Sequence, residues 1–74
     1  MNKSKNQEYI DAFGNHVRAL RKEKKLSMEK MALLAGIEYS QISDIELGKI
    51  NTTISTIYLL AKALEMPTKD LFDF

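Results

Sequence analysis

The sequence contains no cysteine, one proline and one histidine. Without cysteine there is no disulfide and no thiolate metal site, which fits a reducing cytoplasm. No uninterrupted apolar run approaches a membrane span, and the opening MNKSKNQEY lacks the apolar stretch that follows the basic start of a secretory signal. Nothing alternates apolar and polar as a strand does, and there are no internal repeats, low-complexity tracts or linkers. Net charge is only +1, so total charge announces no nucleic-acid ligand. Around the lone His16 there is no nucleophile, no Gly-rich phosphate loop and no metal-ligand spacing. The expectation is a cytoplasmic protein that is not an enzyme, with no metal, no cofactor and no membrane partner, and with His16 on the surface.

What is present is a chain of 74 residues with 45% hydrophobic and 28% charged residues, the composition of one small globular domain rather than of a disordered chain. Residues 1–8 are expected to be a flexible lead-in and residues 9–74 the single domain. Charge is polarised along it. Arg18, Arg21, Lys22, Lys24, Lys25 and Lys30 stand against Glu23 and Glu29, whereas Glu65, Asp70 and Asp73 near the end face only Lys69. A basic run of this kind suits a solvated helix C-terminus, where cations meet the negative end of the helix dipole, as well as it suits a phosphate-bearing partner.

Apolar periodicity divides the domain into helices. Ile10, Phe13, Val17 and Leu20 share one helical face, and this first helix carries its basic tail to Lys25. Ser27 is a hydroxyl cap for a second helix whose apolar side holds Met31, Ala32 and Leu34. Gly36 supplies a left-handed turn. Tyr39 to Leu47 then form a third helix with Ile42 and Ile45 inward and Tyr39, Ser40, Gln41, Ser43 and Asp44 outward. Gly48 stops it, and Thr53 caps a fourth helix bearing Ile54, Ile57, Leu60, Ala61 and Leu64. Met66-Pro67 ends the fourth, and Pro67 suits the first turn of a short fifth helix over Thr68 to Leu71 or Phe72. The fold class is all-α, with five helices.

The segment LSMEKMALLAGIEYSQISDIELGK, with FGNHVRALRKEKK before it and IYLLAKALEMPTKDLF after it, resembles the Cro and lambda-repressor type of helix-turn-helix family, also called the XRE family. The likeness runs over roughly residues 13–72. It implies a compact repressor-like domain in which helices two and three form the helix-turn-helix and helix three enters the major groove of double-stranded DNA. Carried over position by position, it makes Tyr39, Ser40, Ser43 and Asp44 base-reading, with Gln41 a weaker fifth. Phosphate contacts fall to Met28 and Glu29 at the start of helix two, to Lys49, Asn51 and Thr52 in the loop after helix three, and to Lys25 and Lys30. For each lysine a solubilising role is at least as good a reading, except for Lys49, where phosphate is preferred. Arg21 is expected to pair with Glu46 and orient helix three, with small net stabilisation if both are desolvated.

Three departures from the family pattern matter. Met28 replaces a frequent glutamine. Glu38 takes the usual Ser/Thr cap and, with Asp44 and Glu46, makes helix three acidic, which predicts modest or salt-sensitive binding. Leu33 and Leu34 leave an apolar patch on helix two that suits a protein partner. The expected function is a sequence-specific DNA-binding transcriptional regulator acting on a palindromic operator as a homodimer, with Ile50, Tyr58, Met66, Phe72 and Phe74 as interface candidates and capping of the monomer core as their alternative role. The rival is an antitoxin or protein-binding adaptor on the same fold. A restriction–modification controller is a further option within the DNA-binding class.

Overall fold

The computed structural model describes residues 5–74. In it α1 spans Lys5–Glu23, α2 Met28–Ala35, α3 Tyr39–Glu46 and α4 Ile54–Ala63, followed by a 3-10 helix over Thr68–Phe72. Among the described residues there is no strand. The fifth helix therefore exists but is wound as 3-10, which is common for so short a closing turn. Residues 1–4 of the expected lead-in lie outside the described residues. Residues 5–8 are not a lead-in: they form the first turn of α1, and the Gln7 amide donates both to Asp11 Oδ1 at 2.9 Å and to the Gly48 carbonyl at 2.8 Å.

The hydroxyl caps form where the sequence places them. Ser27 Oγ accepts the Lys30 N–H at 3.0 Å and Thr53 Oγ1 accepts the Thr56 N–H at 3.2 Å, each satisfying an amide that has no intrahelical carbonyl. Helix ends follow a common rule too. At each of the four α-helices a left-handed residue, Lys25, Gly36, Gly48 or Glu65, is followed by an amide that reaches back five residues: Leu26 to Arg21, Ile37 to Ala32, Lys49 to Asp44 and Met66 to Ala61. This is the Schellman closure. Only two of the four closures use the glycine that makes a left-handed φ strain-free.

Val17, Met31, Ile42, Ile45, Leu60, Leu64 and Leu71 are the largest fully buried side chains, so every helical element contributes to one core. Two assignments made from periodicity are corrected. Leu34 is exposed and the inward face of α2 is Met31, Ala32 and Ala35, a register set by the Ser27 cap. Ile54 is 86% exposed, because at 100° per residue it falls beside the exposed Tyr58 and away from the face on which Thr56 and Leu60 are buried. His16 is not a plain surface residue either: it is half-buried, its Nε2 lies 2.8 Å from the Asp70 carbonyl, and its ring stands 5.6 Å from that of Phe74.

Gly14 sets a close approach between two helix backbones. A β-carbon there would collide with the Ile45 carbonyl oxygen and lie 2.9 Å from that of Glu46, so α1 can rest directly on the backbone of α3 only because position 14 has no side chain.

Two substitutions test these backbone constraints in opposite senses. Gly14→Ala would raise stability by about 1 kcal/mol if helix propensity governed the position; the collision with α3 predicts instead a loss of about 2–3 kcal/mol in urea unfolding. Glu65→Gly should raise stability by about 0.5–1 kcal/mol, since it removes left-handed strain at an exposed turn at some entropic cost.

Candidate nucleic-acid interface

The orientation of α3 follows from which of its residues are inside. Ile42, Ile45 and Glu46 are buried, so at 100° per residue the opposite face carries Ser40, Asp44 and Leu47, with Tyr39 and Ser43 on one flank and Gln41 on the other. Tyr39 and Ser40 are exposed and Gln41, Ser43 and Asp44 half-buried. All five base-reading candidates thus lie on the accessible side of one helix. Glu38 stands before the helix without a side-chain cap bond and is exposed.

Behind that face α3 is held by a fork. Arg21 Nε donates to Glu46 Oε2 at 2.7 Å and Nη2 to Oε1 at 3.0 Å, while Nη1 donates to the Leu26 carbonyl at 2.8 Å. One guanidinium therefore links α1, the turn leading into α2, and α3. Both side chains are almost wholly buried, and hydrogen bonding to Glu46 holds the Arg21 guanidinium above its ordinary value against the opposing effect of burial. Glu46 consequently adds little to the acidity of the outward face: of the three acids expected to repel phosphate, it is turned inward and neutralised.

The other candidates occupy the edges of this face. Met28 is half-buried against the core and Glu29 exposed, at the start of α2, where the first amides have no intrahelical acceptor. Lys25 sits in the left-handed turn before it, exposed like Lys30. Lys49 and Asn51 are exposed and Thr52 half-buried, in the loop after α3. Lys49 holds the position after a Schellman closure where an apolar residue ordinarily packs back on its helix; Leu26, Ile37 and Met66 do so at the other three, and Lys49 points to solvent instead.

The dimer candidates divide. Ile50 and Met66 pack against the core, and Phe72 stacks on Phe13 with ring centroids 5.2 Å apart. Phe74 packs on Tyr9 at 5.2 Å but remains exposed, as does Tyr58. Reading by residue type alone passed over Ile54, one turn before Tyr58 on the open side of α4, and over Leu47, seven residues after Ser40 and 58% exposed. For Leu47 the signal was available in its spacing from Ser40. For Ile54 it was not, since its spacing to Ile57 matches an inward position.

A short helix presented polar side outward, buttressed on its inner side by a buried ion pair and joined to the preceding helix through a glycine turn, defines a helix-turn-helix DNA-binding protein. Comparison with known proteins agrees. Residues 17–71 match the family described as Helix-turn-helix, HTH_3. The control protein C.BamHI of Bacillus amyloliquefaciens is 41% identical over 63 residues, which cover 84% of this chain and 78% of that protein. The HTH-type transcriptional repressor RghR of Bacillus subtilis (strain 168) is 40% identical over 63 residues, 84% of this chain, but the chain spans only 47% of that repressor. The crystal structure of the restriction-modification controller protein C.AhdI from Aeromonas hydrophila superposes with a TM-score of 0.83 at 35% identity, over 88% of this chain and 97% of that one. The chain belongs to the helix-turn-helix family of the XRE type, and it is a DNA-binding transcriptional regulator.

The fork has a direct thermodynamic test. Arg21→Met strands a buried carboxylate and should lower stability by about 3–5 kcal/mol, whereas the double variant Arg21→Met with Glu46→Met should regain most of that loss, because an apolar pair of similar volume replaces both charges. Urea unfolding of the two proteins measures the difference.

Proposed function

We propose that the protein binds a palindromic double-stranded operator as a homodimer, with α3 of each protomer in the major groove. The observation that carries this reading is the polar outward face of α3, held rigidly by the Arg21–Glu46 fork. On this reading Tyr39, Ser40, Gln41, Ser43 and Asp44 face the base edges. Ser40 and Ser43 hydrogen-bond them, Asp44 accepts from a cytosine amine, and Tyr39 meets a thymine methyl. The α2 amides of Met28 and Glu29, with Lys49, Asn51 and Thr52, grip phosphates on the two sides of the groove, and Lys25 and Lys30 add charge. The role of the fork is to orient α3 rather than to add stability.

Ile54 and Tyr58, exposed on successive turns of α4, extend the interface candidates toward Tyr58 and Phe74 and away from Met66 and Ile50, whose apolar surface is already used. The likeness to C.AhdI over almost its whole length favours the control of restriction–modification genes over other regulons. The reading is non-enzymatic and cytoplasmic. It is supported by relatives that are control proteins and repressors, and among the described residues no helix is long and apolar enough to cross a membrane. A second reading, a protein partner on α2, is favoured by Leu33, which is 74% exposed beside the exposed Leu34.

Selection of bound duplexes from a random library tests the first reading. A palindrome with half-site centres about 34 Å apart should be enriched, and Tyr39→Ala or Ser43→Ala should abolish the preference at one position per half-site; weak binding to every duplex would favour the partner reading. Ile54→Glu should raise the dimer dissociation constant at least about 10-fold, from loss of a buried apolar contact, without lowering the stability of the monomer in sedimentation and melting measurements.

A further inference from the structure

Between α1, the first turn of α2 and the C-terminal half of α3 lies an open cleft of about 250 Å³ lined by Arg18, Arg21, Met28, Ser43, Glu46 and Leu47. It connects two groups already assigned to DNA, the start of α2 and the reading face of α3. Its polar lining is unevenly committed. All three guanidinium nitrogens of Arg21 that donate do so inward, to Glu46 and Leu26, and both Glu46 oxygens accept from Arg21. Met28 contributes no polar side-chain atom beyond a thioether. A second cleft on the other side of Arg18 contains Asp11 and Glu46, yet Asp11 accepts from Gln7 and both oxygens of Glu46 are held by Arg21. Arg18 is thus an exposed cation flanked by two carboxylates that are both engaged, and it has no hydrogen bond or ion pair of its own among the described residues.

We infer that Arg18 is a further phosphate-binding residue, closing this cleft over the DNA backbone from the α1 side while the α2 amides approach from the other. The inference rests on the DNA-binding reading above. Its chemistry is simple. A planar guanidinium with free donors matches a phosphate bidentately, and a groove that already holds a helix N-terminus is electrostatically prepared for one. Because the contact is to backbone, Arg18 supplies affinity and register and leaves sequence preference to α3.

The test titrates the selected operator with wild-type protein, Arg18→Gln and Arg18→Lys at several salt concentrations. Loss of one phosphate contact in Arg18→Gln should flatten the slope of log K against log salt by about 0.9 per protomer and weaken binding about 3–10-fold at moderate salt, the size of one exposed charge-assisted contact, with the enriched sequence and the melting temperature unchanged. Arg18→Lys should recover the slope. An unchanged slope and affinity in Arg18→Gln would overturn the proposal, and so would a changed base preference at unchanged slope, which would make Arg18 a base reader. If wild-type protein itself selects no sequence, the failure lies with the DNA-binding reading, and the Arg18 proposal falls with it.

Discussion

The arrangement of α3 depends on a single buried ion pair. Arg21 reaches from α1 across the start of α2 to Glu46, and its third donor holds the Leu26 carbonyl of the intervening turn. A hydrophobic contact at that place would bury as well and stabilise as much or more, but it would lack the two directional bonds that Arg21 makes to Glu46. A fork admits one rotation of the helix about its own axis. Gly14, immediately above, removes the remaining slack by bringing the α1 backbone onto the Ile45 and Glu46 carbonyls. Angular definition, more than energy, is what a helix needs if its outer residues are to meet a rigid ligand.

The same principle organises the helix ends. Each of the four α-helices closes by one backbone pattern, and the residue after the closure is folded back on the core in three of them. The exception is Lys49, which ends α3. Where the other turns serve packing, this one gives up an apolar contact to carry a cation outward, and the loss falls beside the helix whose outer face the site uses.

Much of this was legible in the sequence. Ser27 and Thr53 announced caps that form, Gly36 and Gly48 announced turns that form, and the buried pairs Ile42–Ile45 and Leu60–Leu64 followed from spacing. What was hidden had physical causes. The closures at Lys25 and Glu65 place residues with a β-carbon in left-handed conformation, which no propensity signals. Gln7 looked like part of a polar tail because its purpose, a bond to the Gly48 carbonyl, lies 41 residues away. The polar stripe of α3 could be read off as a face and the Arg21–Glu46 pair followed from the family resemblance, but residue type alone did not show that the pairing withdraws Glu46 from the acidic outward face. Arg18 is the converse, one cation in a basic run whose distinction is that its neighbours' carboxylates are occupied.

The polar pins of the fold share a partner. Gln7 to Gly48, Arg21 to Glu46 and His16 to Asp70 span 41, 25 and 54 residues, and all three start on α1. The remaining turns and caps close within a few residues and form on the timescale of helix growth. These anchors, Glu46, Gly48 and Asp70, lie far along the chain from α1, so its apolar face stays uncovered until the segments that carry them have been made. The long-range bonds that dock the later segments onto α1 are thus the same ones that fix how α3 is turned, so the orientation of its outward face is a property of the whole docked domain and not of the helix-turn-helix alone.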